Sequence, residues 1–299
     1  MKRNILSIGL LVIFGVALAA AGSRVIEIEG GRQQGDLRFG PYKFTEGVKA
    51  TVQKLQIVST EGSLTAPQGL EMSKAEGKRT AGFAGGVTVN RGRLTAKGPS
   101  LEYKEETGLG VLAGPTNIVQ KPEKAGEDDV FITALKATFD VDTNVSTSEG
   151  SVKLVNGKQS ALSSKVVFDE EKNLGCLTDS KSITLVREPK KAGDSKLVIT
   201  AKEARVLTET NTLVAIGNVT LVAGDNTTTG DALFYDDDKE TAWVIGNTAT
   251  KTPAKNVNKK ANATVTAGTI INYTKKNQIE RLGTPFKIPF EKFKCASDK

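Results

Sequence analysis

The chain has 299 residues, with 41 Lys and Arg against 34 Asp and Glu, a formal charge of +7 and no histidine. Without histidine, Ser-His-Asp and Cys-His nucleophiles and histidine-ligated zinc or haem are excluded, so a non-enzymatic binding or structural protein with no cofactor is expected. Aromatic residues make up 5% of the chain, beside 30 glycines and 9 prolines, which points to an all-β protein rich in turns whose core is carried by Ala, Val, Leu and Ile.

At the amino terminus, Lys2 and Arg3 precede an apolar run from Ile5 to Ala21 that ends in small residues. Residues 1–21 therefore read as a signal peptide, cleaved after Ala19 or Ala21, with an uncleaved membrane anchor as the alternative. The run spans roughly 25 Å as a helix, short of a hydrocarbon core of about 30 Å, which favours cleavage. No Cys follows it, so a lipid-modified N-terminus is not expected. In either case the remainder is exported. Losing Lys2 and Arg3 takes the charge from +7 to +5. The remaining Lys and Arg are dispersed, without the dense stripe or stacking aromatics of a nucleic-acid surface, so no nucleic-acid partner is expected.

From Arg24 onward one pattern recurs. A small-residue start leads to an apolar run, a polar turn, a second apolar run and a closing Gly. A loose copy runs from Arg24 to Val52. Further copies run over Ser63–Val89, Arg93–Val119, Phe131–Val155, Ser160–Val186, Ile199–Val222, Thr227–Lys251 and Thr264–Ile288. From small residue to Gly is 16 positions in four copies, Ala134 to Gly150, Ala201 to Gly217, Gly230 to Gly246 and Ala267 to Gly283. The connections vary in length, as between stacked strand pairs. The fourth of the well-formed copies has Ser180 and Lys181 where the others have Gly. Two strands per unit give about sixteen strands, and a lone pair cannot bury its apolar face, so the units must stack into one roll. The expectation is an elongated open twisted β-jelly-roll, or solenoid-like roll, over 24–290, with a possible subdivision near 120–130 and a polar tail at 291–299. Within the units A-x-x-A breaks strict alternation and marks a bulge or corner.

Other constellations are weak. Asp140, Asp142 and Asn144 begin like a calcium loop, but Val145 and Ser151 occupy its Gly and Glu positions, so they read as turn residues. Asp236, Asp237 and Asp238 read as a solvated turn. GLGVLA (Gly108 to Ala113) precedes a Pro and a strand rather than opening a helix, which dismisses dinucleotide binding. Cys176 and Cys295 are the only cysteines; two unpaired thiols are expected, with a disulfide as the alternative open to an exported chain. Trp243, the sole tryptophan, reads as a core or groove residue. TPFKIPFEKFK places Phe286, Ile288 and Phe290 on one side between prolines and reads as an edge strand or cap, with docking to another roll as its use.

The sequence ITAKEARVL…AIGNVTL…TGDALFYDDD…WVIGN (199–247) resembles the OstA-like family of periplasmic lipopolysaccharide-transport proteins of the LptA and LptC type, and the likeness is fainter but periodic over most of 24–288. The resemblance implies a periplasmic carrier or bridge that moves lipopolysaccharide or a similar amphipathic envelope lipid between inner and outer membrane. It also implies acyl chains held inside the roll, partners with similar β-jelly-roll domains in both membranes, and end-to-end homo-oligomers. The groove residues expected on that basis are Ile199, Ala201, Ala204, Val206, Val219, Leu221, Phe234, Trp243 and Ile245. The alternative is an exported β-solenoid that binds polysaccharide or another envelope protein.

Overall fold

A computed structural model describes residues 23–122, 125–126, 128–192 and 194–298; the signal-peptide or anchor segment lies outside the described residues. Strands occupy most of the described chain. Six short ones come first: β1 (Glu27–Glu29), β2 (Arg32–Gln34), β3 (Tyr42–Thr45), β4 (Val48–Val52), β5 (Leu55–Ser59) and β6 (Glu61–Thr65). Ten long ones follow: β7 (Thr80–Arg91), β8 (Leu94–Lys104), β9 (Leu109–Gln120), β10 (Val130–Asp140), β11 (Val145–Asn156), β12 (Gln159–Asp169), β13 (Leu174–Arg187), β14 (Leu197–Leu207), β15 (Thr212–Ala223) and β16 (Asn226–Asp236). Five short ones close the set: β17 (Thr241–Ile245), β18 (Ala254–Asn258), β19 (Ala263–Ala267), β20 (Thr269–Tyr273) and β21 (Gln278–Leu282). All pair antiparallel, in one 21-stranded sheet that does not close into a barrel. The count exceeds about sixteen because near both ends of the roll the strands are broken into halves. Thus β7 pairs β6 along Thr80–Ala84 and β5 along Thr88–Asn90, and β16 pairs β17 and β18 in the same way. Between β9 and β10 the ladder runs from Val130↔Gln120 to Asp140↔Leu109, so the sheet is continuous past residues 120–130.

Each long strand bends at its middle, where the register steps. In β15 the step lies between Ile216 and Val219, with Gly217 (φ +81°) and Asn218 (φ +52°) at the corner. Two successive left-handed residues turn the strand sharply, and glycine enters that conformation without steric cost. Gly150 and Ser151 do the same in β11, with φ +83° and +49°. In β13, where the glycine is missing, the step widens to the interval between Thr178 and Ile183. There the Asp179 carboxylate accepts the Lys181 N–H at 2.8 Å and shapes the wider corner.

The line of corners folds the sheet into two facing wings. The first wing holds the N-terminal halves of β10, β12, β14 and β16 and the C-terminal halves of β9, β11, β13 and β15; the second wing holds the other halves. Alternation decides what lies between them. In β14, Ile199, Ala201, Ala204 and Val206 point inward, and in β15 Leu213, Ala215, Val219 and Leu221 meet them in one core that runs from Ile26 to Ile270. At roughly 1.5–3 kcal/mol for each fully buried aliphatic side chain, this shared interior is what holds the wings together.

The second wing has apolar residues on its outer face as well. The chain after β21 crosses that face without forming a strand, ending in a 3-10 turn at Phe290–Phe293. Phe286, Ile288 and Phe293 cover Phe234, Val214 and Ile245 there, and Cys176 is bonded to Cys295. Of the two readings of TPFKIPFEKFK, edge strand or cap, the segment takes the cap, because Pro285 and Pro289 lack N–H donors and its apolar side faces the sheet. The cysteines are paired rather than free, because the returning cap brings residues 119 apart in sequence to a Cα–Cα distance of 6.2 Å. The stretch from 291 is polar in composition, yet Phe293 and Cys295 are buried. Arg205 ties the end down by donating to the Phe293 carbonyl at 2.9 Å and pairing with Asp298.

Candidate functional site

The wings meet at the line of corners and open on the opposite side, where the turns of one wing face the turns of the other. Along most of that mouth, named contacts clamp them. At the N-terminal end Glu105, held at 2.6 Å by the Arg79 guanidinium of its own wing, accepts the Ile26 N–H of the facing wing at 3.0 Å. Burial by itself would raise the Glu105 pKa; the bonds from Arg79 and the backbone N–H groups outweigh it and hold the group below the usual carboxylate range. Arg24 pairs with Asp142 at 2.6 Å beside it. Next, Arg91 crosses from the end of β7 to Glu170 and donates to the Asp140 carbonyl at 2.8 Å, and Arg93 donates to Asn173 Oδ1 at 3.2 Å. Further along, Arg187 and Lys190 of the first wing approach Asp237 of the second, at 3.6 and 3.0 Å.

Between the Arg91–Arg93 and Arg187–Lys190 clamps the mouth widens. The turn Thr208–Asn211 faces the ends of β9, β11 and β12 across a polar cavity of about 410 Å³. Among the described residues no ion pair joins that turn to the facing wing. Among the described residues, Arg93, Lys121, Lys158, Arg187 and Lys190 line this cavity against Asp128, Glu209 and Asp237, five cationic side chains to three anionic.

Beneath it a narrow apolar slot of about 80 Å³ continues between the wings. Its walls are Ile132, Leu154, Ala161, Leu185 and Ile199 from the first wing and Phe168, Leu177, Val206 and Leu213 from the second. Gln120, Val130, Asn156, Gln159, Arg187 and Thr208 line both spaces and form the collar between them. The arrangement has an aliphatic bottom, a polar collar and a cationic rim, with its opening to the side of the roll.

The residues expected at a groove divide. Ile199 and Val206 line the slot, and Ala201, Ala204, Val219 and Leu221 are buried in the same interior. Phe234, Trp243 and Ile245 lie on the opposite face of the second wing, under the cap. Trp243 stacks on Phe286 with 5.1 Å between ring centroids, and Phe234 lies 5.5 Å from Trp243. The runs LFY (233–235) and AWVI (242–245) are apolar at every position, because both faces of this part of the sheet are covered. Of the residues read as docking groups, Phe286 and Ile288 are used within the chain, and Phe290 is exposed. Asp236 and Asp237 are buried rather than solvated. Asp236 accepts the Lys239 N–H at 3.0 Å, and Asp237 accepts the Tyr235 hydroxyl at 2.6 Å. Arg187, Lys190 and Lys158 went unnoticed in the sequence; the one signal was ITLVREP, where Arg187 takes the next inward position after Ile183 and Leu185.

The interior changes character toward the C-terminal end. Thr228 donates to Asn272 Oδ1 at 2.9 Å and accepts from Asn256 Nδ2 at 2.7 Å, all three buried. Asn226 donates to Asn277 at 2.7 Å and accepts from Asn258 at 3.0 Å. These side chains, on β16, β18 and β20 and, for Asn277, in the turn before β21, replace the aliphatic filling with a hydrogen-bonded plug.

Among the described residues no helix is long and apolar enough to cross a membrane. No protein-family model matches this chain, and no curated protein matches it. Among solved structures it is similar to LptH, the LptA-homologous periplasmic component of the lipopolysaccharide transport device from Pseudomonas aeruginosa. The similarity is at 16% identity and a TM-score of 0.37, over 41% of this chain and 86% of that one. A likeness at that level transfers no residue role and no ligand.

Proposed function

We propose that this chain is a non-enzymatic carrier in the cell envelope for an amphipathic lipid, lipopolysaccharide-like in class, whose acyl chains enter the roll from the side. The observation that carries this reading is the aliphatic slot lying directly beneath a cation-rimmed mouth, at the one stretch between two clamps where the wings lack an ion pair among the described residues. The repeat's resemblance to periplasmic lipid-transport proteins supports it. Burying an acyl chain contributes about 0.8 kcal/mol per CH₂, on the order of 10 kcal/mol for a dozen carbons, without any specific polar contact.

The slot is small beside the roughly 300–1,000 Å³ of ordinary ligand sites. Loading therefore requires the wings to part around Thr208–Asn211, a displacement that breaks no ion pair at that turn. The Asn–Thr plug closes the C-terminal route to an acyl chain, so entry and release are both lateral in this reading.

A second reading, an interaction surface for another envelope protein, draws on Phe131 and Leu162, exposed on the first wing, and Leu135, exposed at the corner of β10. The two are separated by lipid analysis of the exported protein by mass spectrometry. The carrier reading expects a stoichiometric amphiphile that is lost on Ala161→Phe, which fills the slot. An amphiphile-free protein that also fails to take acyl chains from detergent micelles would overturn it.

A further inference from the structure

Resting on the carrier reading, we infer that the mouth of the slot binds a phosphate group carried by the lipid, with Arg187 as its innermost ligand and Lys158 and Lys190 at its rim. Arg187 closes β13, and the alternation that sends Ile183 and Leu185 inward places its guanidinium at the lip of the aliphatic slot. Its side chain is 5% exposed. Nε and Nη1 are buried with no hydrogen-bond acceptor, while Nη2 reaches Thr274 Oγ1 at 3.5 Å. A buried cation with unused donors is unfavourable, since each unmatched group keeps its full desolvation cost.

Asp237 offsets its charge but not its donors: Oδ1 lies 3.6 Å from Arg187 Nε, beyond hydrogen-bonding range, and already accepts from the Tyr235 hydroxyl at 2.6 Å. Its Oδ2 is shared between Lys190 Nζ at 3.0 Å and Gln159 Nε2 at 3.3 Å. Lys158 Nζ donates to the backbone carbonyls of Pro189 and Lys190, at 2.9 and 2.8 Å, and has no ion pair among the described residues. The space between is therefore one with spare donors below, spare positive charge above and about 410 Å³ of room.

A tetrahedral oxyanion suits this better than a carboxylate. Its several oxygens reach the guanidinium fork and the rim ammonium groups together. Because Arg187 borders both spaces, a phosphate seated on it has its ester substituent directed at Leu185, Ile199 and Val206. That places the phosphate on an amphiphile rather than free in solution.

The test compares three probes on the full exported chain: phosphatidic acid in neutral micelles, diacylglycerol with the same acyl chains, and inorganic phosphate alone. Phosphatidic acid is expected to bind at least about tenfold more tightly than diacylglycerol, a difference of about 1.4 kcal/mol. Arg187→Gln should bring that ratio close to one. Lys158→Gln, at an exposed position that leaves folding intact, should lower the ratio about two- to threefold. Millimolar inorganic phosphate should not bind. Equal affinity for the two lipids, or a ratio that survives both substitutions, overturns the phosphate assignment and leaves the carrier reading standing. Inorganic phosphate bound as tightly as the lipid makes this a free-ion site and overturns the head-group assignment. If neither lipid binds, the carrier reading falls, and the phosphate assignment with it.

Discussion

The middle of the roll and its C-terminal end are made from the same kind of antiparallel strand, yet they are filled in opposite ways. In the middle, inward positions carry Ile132, Leu185, Ile199 and Leu213, and a slot remains between them. At the end, the corresponding positions carry Thr228, Asn256 and Asn272, joined side chain to side chain. An aliphatic wall has no partner to lose when the wings separate and offers the same free energy to an acyl chain as to the facing wall. A hydrogen-bonded wall fixes the wings at one spacing, because parting them strands buried donors and acceptors at about 1–3 kcal/mol each. One sheet can thus be deformable at its middle and pinned at its end. The interior is not a uniform conduit.

The comparison is most strongly broken by exchanging the chemistry of the two regions. Ile199→Asn puts an unmatched amide into the slot and should cost about 4 kcal/mol of stability, with acyl-chain binding reduced at least tenfold; denaturant titration and a lipid-binding assay read the two effects. Unchanged binding would mean that the chain lies elsewhere. Next in size, Cys176→Ala with Cys295→Ala releases the cap from the outer face. It should cost about 3 kcal/mol through the long loop that the bond closes. Quenching of Trp243 should rise, because the cap covers it, while lipid binding should stay as it was, because the cap lies outside the roll. A fall in binding would show that the two faces are coupled.

Thr228→Val at the polar end removes both hydrogen bonds of that side chain and should cost about 2 kcal/mol without altering lipid affinity. A gain in affinity would show that the plug, rather than the slot, limits how far an acyl chain penetrates. The smallest effect is a slope with pH. Glu105 is held below its ordinary value of 4.5, so the stability it contributes is complete above that value and is lost as pH falls through its lower folded-state pKa. Glu105→Gln should flatten that part of the acid limb in denaturant titrations. An unchanged slope would mean that this N-terminal clamp does not help to hold the wings closed.

Much of the fold was legible because its period is local. The small-to-Gly spacing marks the bent strand, and A-x-x-A at Ala201 and Ala204 marks its corner, where the register steps between Thr200 and Glu203. Alternation also gave the inward face of β14. It failed where a strand is apolar on both faces, as at Phe234, Trp243 and Ile245, since a continuous apolar run carries no phase. The mouth was illegible for another reason. Its contacts join turns far apart in sequence, such as Arg187 with Asp237 and Arg91 with Glu170, and nothing in a local pattern says which turn will face which. The disulfide belongs with them, because it depends on where the cap returns.

The central claim is that an amphiphile sits in the aliphatic middle, reached from the side. It is tested most directly by a diacyl phospholipid bearing a photoreactive group on its acyl chain, irradiated with the intact protein and mapped by peptide mass spectrometry. The expected adducts fall on slot walls such as Leu185, Ile199 and Val206, with none at Asn256 or Asn272. Labelling spread evenly along the interior into the Asn–Thr plug, or confined to the outer faces of the wings, would contradict it.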